Sequence, residues 1–322
     1  GRLGHPTAAT PPRLAACEFA LTMPGGALPY RDKHATVGVK AVWVRGCNGD
    51  GAMTTRRTFA VRLGGLTIAS AAFSGDVLSR GRQDVVWPGG RRAAVSLTYD
   101  DGLDSQLDHV GPELERFGFK ATFFLTRENM EERVSDWEAL ARQGHEIGDH
   151  TFHHPCELAS YSAERFEREE IIPTEQFLNH HFGADRRRTF AYPCGTIELG
   201  PGSQLEGELR YIGVLRRYFM AARAADGDPN DPRLVGRERY QLQAVPPTYD
   251  KDDPELAITY LRKALARRRW AILILHDVLP ERLGEGDTSI ASHEAILRWI
   301  SGQSLWCAPM GEVFTHLTRG RR

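Results

Sequence analysis

The chain has 322 residues, with 41 Lys and Arg against 42 Asp and Glu and a formal net charge of -1. That balance argues against a nucleic-acid binder, which normally carries a basic excess or stripe; 41% apolar content over this length allows a full core without staples. No run of eighteen uncharged apolar residues occurs, so no ordinary membrane span is expected, and the five cysteines, Cys17, Cys47, Cys156, Cys194 and Cys307, hold no C-x-x-C pair to suggest a zinc ribbon or disulfide framework.

Residues 1–52 carry Thr10-Pro11-Pro12 and scattered Gly without a sustained period, and read as a disordered upstream extension. Met53-Thr54-Thr55-Arg56-Arg57-Thr58-Phe59 follows, then the short apolar run 63–71 ending in Ala69-Ser70-Ala71. A twin arginine, a Phe and small residues at a cleavage point resemble a Tat export signal. Met53 is therefore expected to be the start, 53–85 the signal and linker, and the protein to be exported to the periplasm or outside the cell. The competing reading is a chance Arg-Arg before a short buried helix, and a native peptide from residues 1–50 would contradict the signal.

From Val86 onward strands and helices alternate. Strands are expected at 93–99, 121–126, 146–149, 189–192, 221–224, 271–275 and 305–308. Helices are expected at 106–117, 137–143, 162–182 with a kink at Pro173, 209–220, 254–268, 289–300 and 310–317. This order implies a mainly parallel sheet covered by helices, either an incomplete or distorted barrel or an open doubly wound sheet, with reactive residues at the carboxyl ends of strands. No glycine-rich nucleotide fingerprint follows any strand.

Four segments at strand ends carry chemistry. Thr98-Tyr99-Asp100-Asp101-Gly102 places two carboxylates before a Gly; alone it is an ordinary turn, but one carboxylate can bind a metal while the other accepts a proton. In His150-Thr151-Phe152-His153-His154-Pro155, one helical turn would bring His150 and His154 to the same side as paired metal nitrogens, leaving His153 as a neighbour and His145 as structural. Phe190-Ala191-Tyr192-Pro193-Cys194-Gly195 makes a fixed turn, either a tight loop or a source of an oxyanion-binding N–H. Ile272-Leu273-Ile274-Leu275-His276-Asp277 ends a buried strand in a His that is either a satisfied core residue or a general acid.

Together these segments resemble the polysaccharide deacetylase family, also called the NodB-homology or carbohydrate esterase family 4 domain, over about residues 86–318, and Ala308-Pro309-Met310-Gly311-Glu312 is similar to its last strand-to-helix turn. The resemblance implies a catalytic domain over 86–322 with an α/β distorted (β/α)7 barrel. It implies Asp100 as base, His276 as acid, Asp101, His150 and His154 as ligands to a divalent metal (zinc, with cobalt or another ion as alternatives), and the Cys194 N–H as an oxyanion donor. The substrate it implies is an N-acetylated polysaccharide: a chitin oligomer, peptidoglycan or a related N-acetylhexosamine chain, with acetyl xylan also open. Two departures stand out. The family's Arg two residues before the Pro is Ala191 here, so the partner of Asp100 is not identified, and no Asp-x-x-Trp that would polarise His276 is evident. A hydrolase of a small non-sugar amide or ureide, and a non-catalytic carbohydrate-binding relative, are the competing readings. Cys156 and Cys194 read as two ordinary small residues, or as a disulfide in an oxidising compartment.

Overall fold

The computed structural model describes residues 85–184 and 188–319. The expected upstream extension over 1–52 and, apart from Val85, the expected signal and linker over 53–85 lie outside the described residues. The strands are β1 (Ala93–Asp101), β2 (Thr122–Leu125), β3 (Glu146–Asp149), β4 (Thr189–Ala191), β5 (Ala221–Arg223), β6 (Trp270–Leu275), β7 (Val278–Leu279), β8 (Thr288–Ser289) and β9 (Leu305–Cys307). β5-β4-β3-β2-β1-β6 run parallel in that order, and β9 joins as the seventh strand of the sheet. Because β6 pairs with Ala94 to Tyr99 of β1, both β9, which pairs with Ala93 to Val95, and β2, which pairs with Thr98 to Asp101, occupy the opposite edge of β1. The gap between β5 and β6 is spanned by single bridges, Leu242 to Arg223 and Val245 to Leu273. The parallel sheet thus curls into the distorted α/β barrel expected from the sequence.

The period of a strand sorts β1 into two faces. Val95, Leu97 and Tyr99 pack outward with Val110, Leu114, Leu261 and Ile296 of the covering helices. Ala94, Ser96, Thr98 and Asp100 face inward, where Phe124, Ile272 and Ile274 form a second apolar layer with Val313 and Phe314 of the C-terminal helix. Asp100 is therefore the last rung of an inward-facing, increasingly polar ladder.

Most helices form near their expected places, with instructive shifts. The helix expected from 209 starts at Gln204, because Ser203 and Glu206 cap it reciprocally. The segment from Ala163 to Phe182 runs on without a break; the wide turn Glu167–Ile171 just before Pro173 absorbs the missing N–H and the ring. The two-residue ladder of β7 and β8 is not among the strands expected from the sequence. No described helix is long and apolar enough to cross a membrane.

Candidate functional site

The carboxyl ends of β1, β3, β4, β5 and β6 meet at one rim. Strand alternation would send Asp100 and Asp101 to opposite faces. Asp101 avoids this by taking φ 76°, and Gly102 follows at φ 76°. A Cβ at Gly102 would stand 3.3 Å from Leu125 Cδ2, so the turn needs glycine for space as well as conformation. The segment 150–154 is not the helical turn expected from the spacing. It is an irregular loop in which Thr151 (φ 71°) and His154 (φ 55°) are left-handed, and this twist brings the two imidazole centroids to 4.7 Å. Four of the six non-glycine residues with positive φ among the described residues, Asp101, Thr151, His154 and Cys194, lie at this rim. Such positions cost about 1–3 kcal/mol each and persist where surrounding structure enforces them.

Asp101, His150 and His154 offer ligand atoms within 4.8 Å of one another. Asp101 Oδ1 lies 3.4 Å from His150 Nε2 and 3.5 Å from His154 Nε2, and it is buried with no hydrogen-bond partner. These separations exceed the usual N–H···O range of about 2.7–3.2 Å. They match two donors of one tetrahedral ion, which at bond lengths of about 2.0–2.1 Å stand roughly 3.4 Å apart. One carboxylate and two imidazoles are donors that a divalent cation accepts, so the residues fit such an ion. His150 Nδ1 donates to the Ala191 carbonyl at 2.9 Å, leaving the lone pair of Nε2 to face the site. Burial raises the Asp101 pKa, but the imidazoles of His150, His276 and His154 outweigh it and bring the carboxyl down to about 2. Burial depresses His150, yet Asp100 and Asp101 raise it overall, whereas burial and the His150 charge lower His154.

Asp100 is 4% exposed. Its partner is Arg223 at the end of β5, whose Nη2 donates to Asp100 Oδ1. Arg223 is fully buried, its Nε donates to Thr98 Oγ1 at 3.2 Å, and its guanidinium lies 4.9 Å over the Phe124 ring. In the β4–β5 register Arg223 is the neighbour of Ala191. The arginine absent from Ala191 therefore has its counterpart one strand further along, on the same face of the sheet. Asp100 Oδ2 remains turned toward His150 Nε2 at 3.8 Å.

His276 follows β6, near enough to Asp101 to depress its pKa. Its ring meets Tyr249 edge-on at 6.1 Å, rather than hydrogen-bonding a carboxylate among the described residues. Gln106, fully buried, ties the two chemical ends together: its Nε2 donates to the Asp100 carbonyl at 2.5 Å and approaches the His276 carbonyl at 3.3 Å. Next to it Ser105 Oγ donates to Asp277 Oδ1 at 2.6 Å. Cys194 (φ 54°) sits in the turn Pro193–Gly195, and its sulfur is bonded to Cys156 with Cα atoms 5.5 Å apart. The two cysteines are thus a disulfide and not unrelated small residues, because the irregular 150–156 loop folds back against the 193–195 turn. His153 turns away, its Nδ1 3.1 Å from Glu170 Oε1, and buried His145 lies at the other end of β3. A cleft of about 210 Å³, lined by Asp101, Leu103, Thr126, Glu128, Asn129, His153 and His154, opens beside the site. Sequence reasoning missed Arg223 and Gln106; a lone polar residue in a short strand or at the start of a helix has no local pattern to mark it.

Residues 89–200 match the sequence profile described as polysaccharide deacetylase. The peptidoglycan-N-acetylglucosamine deacetylase of Bacillus cereus is 40% identical over 121 residues, covering 37% of this chain and 40% of that protein. A gellan lyase from a Bacillus species is 27% identical over 162 residues, covering 50% of this chain and 6% of that one. The chain spans less than half the length of these curated relatives. A crystal structure from Mycobacterium smegmatis named for a polysaccharide deacetylase superposes with a TM-score of 0.56 at 15% identity, covering 74% of this chain and 94% of that one, a likeness of fold.

Proposed function

We propose, from a chain whose residues 89–200 belong to the polysaccharide deacetylase family, that it is a zinc-dependent hydrolase removing N-acetyl groups from an N-acetylated polysaccharide of the cell envelope. The observation that carries this reading is the convergence of Asp101, His150 and His154 around one orphaned carboxylate oxygen, with Asp100 and His276 flanking it. The twin-arginine segment Arg56-Arg57 supports an exported protein. The name of the Bacillus cereus relative makes peptidoglycan N-acetylglucosamine the first substrate to test.

Asp101, His150 and His154 would hold the cation. A divalent ion there supplies Lewis acidity toward an acyl oxygen and toward water. Arg223 takes one oxygen of Asp100 and offsets the cost of burying its charge, leaving Oδ2 to accept the proton of the attacking water. The Cys194 N–H donates to the developing oxyanion, a contribution of about 2.7–4 kcal/mol. The amine of an amide leaves poorly, so His276 protonates the nitrogen as the C–N bond breaks. Gln106 keeps base and acid in register by holding the carbonyls of both residues. A purely sugar-binding relative has no use for a buried arginine aimed at Asp100. The test is acetate release from peptidoglycan, chitin oligomers and acetyl xylan, before and after chelation and with zinc or cobalt restored. Release that stops with chelator and returns with metal is expected. Release indifferent to chelator, or none from any acetylated polymer, contradicts the proposal.

A further inference from the structure

Two donor sets at the rim share one imidazole. Asp101, His150 and His154 form the first; His154, Cys156 and Cys194 form the second, each with ligand atoms within 4.8 Å of one another. The ring of His154 divides between them: Nε2 faces Asp101 Oδ1 at 3.5 Å, and Nδ1 faces Cys156 Sγ at 4.0 Å. While the two sulfurs are bonded to each other the second set offers no thiolate and takes no cation.

We propose that reduction of the Cys156–Cys194 disulfide opens a second, soft-cation site built from the two thiolates and His154 Nδ1. The disulfide then decides whether His154 serves the first ion alone. A tetrahedral ion with bonds of about 2.3 Å to sulfur and about 2.0 Å to nitrogen holds those donors roughly 3.6 Å apart. The observed Nδ1 to Sγ separation is close to that value. Both cysteines are exposed, so a reductant and a cation can reach them and solvent completes the coordination. Two thiolates and an imidazole select zinc-like or softer ions over magnesium or calcium. A water-soluble trialkylphosphine supplies the two electrons: it becomes the phosphine oxide with oxygen from water, and the S–S bond becomes two thiols. Each thiol loses its proton to solvent as the cation binds.

This takes from the proposed function only the role of His154 in the first site. The experiment is a cobalt(II) titration of the full chain followed by absorption, on air-oxidised and phosphine-reduced protein, with alkylation mapping to confirm the state of each cysteine. A near-ultraviolet thiolate-to-cobalt charge-transfer band is expected in the reduced protein only. It should disappear in Cys156→Ser and in Cys194→Ser and survive in Cys307→Ser, and a fluorescence melt should show each variant folded. No band on reduction, a band that persists in either of the first two variants, or free thiols at both positions in the oxidised protein would overturn the proposal. Acetate release is measured on the oxidised sample in parallel. Silence there counts against the hydrolase and leaves the cobalt result standing.

Discussion

The two ends of the barrel both gather polar groups, and they treat them oppositely. At the amino ends of the strands, the Glu146 carboxylate accepts from Thr122 Oγ1, Thr189 Oγ1 and the Gly311 N–H, each at 2.8 Å, while Thr122 Oγ1 accepts from the Met310 N–H at 2.8 Å. These bonds fasten the C-terminal helix beneath β2, β3 and β4. At the carboxyl ends, Asp101 Oδ1 is buried without a partner, two imidazoles stand within 3.5 Å of it, and four side-chain-bearing residues hold left-handed backbone. Apart from His145 Nε2, which is buried without a partner, one end spends its polar groups on stability; the other keeps them poised for something that arrives. Local strain and unanswered buried atoms are what a binding site looks like before it binds.

Removing the poised groups separates the two ends most strongly. Asp101→Asn, which keeps a residue tolerant of positive φ, and His150→Ala should each abolish cation uptake and acetate release. The cation-free melting temperature of Asp101→Asn should stay at or above that of the wild type; a large fall would mean that Asp101 is there for stability. His276→Ala should retain the cation, by metal analysis, while turnover falls about 10²–10⁴-fold, the usual worth of a general acid. Next is Arg223→Met, which strands the Asp100 charge and should cost about 3–5 kcal/mol in denaturant unfolding. Adding Asp100→Asn should recover much of that stability and none of the activity. At the other end, Glu146→Ala leaves two hydroxyls and an N–H without an acceptor and should cost about 3 kcal/mol, with cation affinity unchanged.

The last effect concerns His145, which stands at the stable end. Burial, aided by the charge of Lys120, holds its pKa down at about 4, and its Nδ1 accepts from the Ala121 N–H at 3.2 Å. The unfolded chain binds this proton near pH 6.5. Between those values the unfolded state holds more protons, so the contribution of His145 is present above about pH 6.5 and lost as pH falls toward 4, by at most about 3 kcal/mol. His145→Gln should flatten the stability curve in that window, read as the difference from wild type in urea midpoints. Parallel curves would contradict the assignment.

How much of this was legible in the sequence follows the same divide. Asp100-Asp101-Gly102 and His150 to His154 are local patterns at strand ends, and the parallel alternation of elements predicts that such ends converge. The loop geometry was not legible: a four-residue His spacing suits a helical turn, and only the left-handed Thr151 and His154 show how the rings meet. Arg223 was invisible for a different reason. Its link to Asp100 depends on the register of two three-residue strands, where Ala191 and Arg223 are neighbours, and no local periodicity encodes that. The Cys156–Cys194 bond likewise depends on how two irregular loops approach each other.

The most direct test is a crystal structure of the oxidised protein soaked with zinc and read by anomalous scattering. One ion is expected between Asp101, His150 and His154, with bonds of about 2.0–2.2 Å and Arg223 still on Asp100. An empty rim at saturating zinc, or an ion bound elsewhere while these three side chains stay apart, would contradict it.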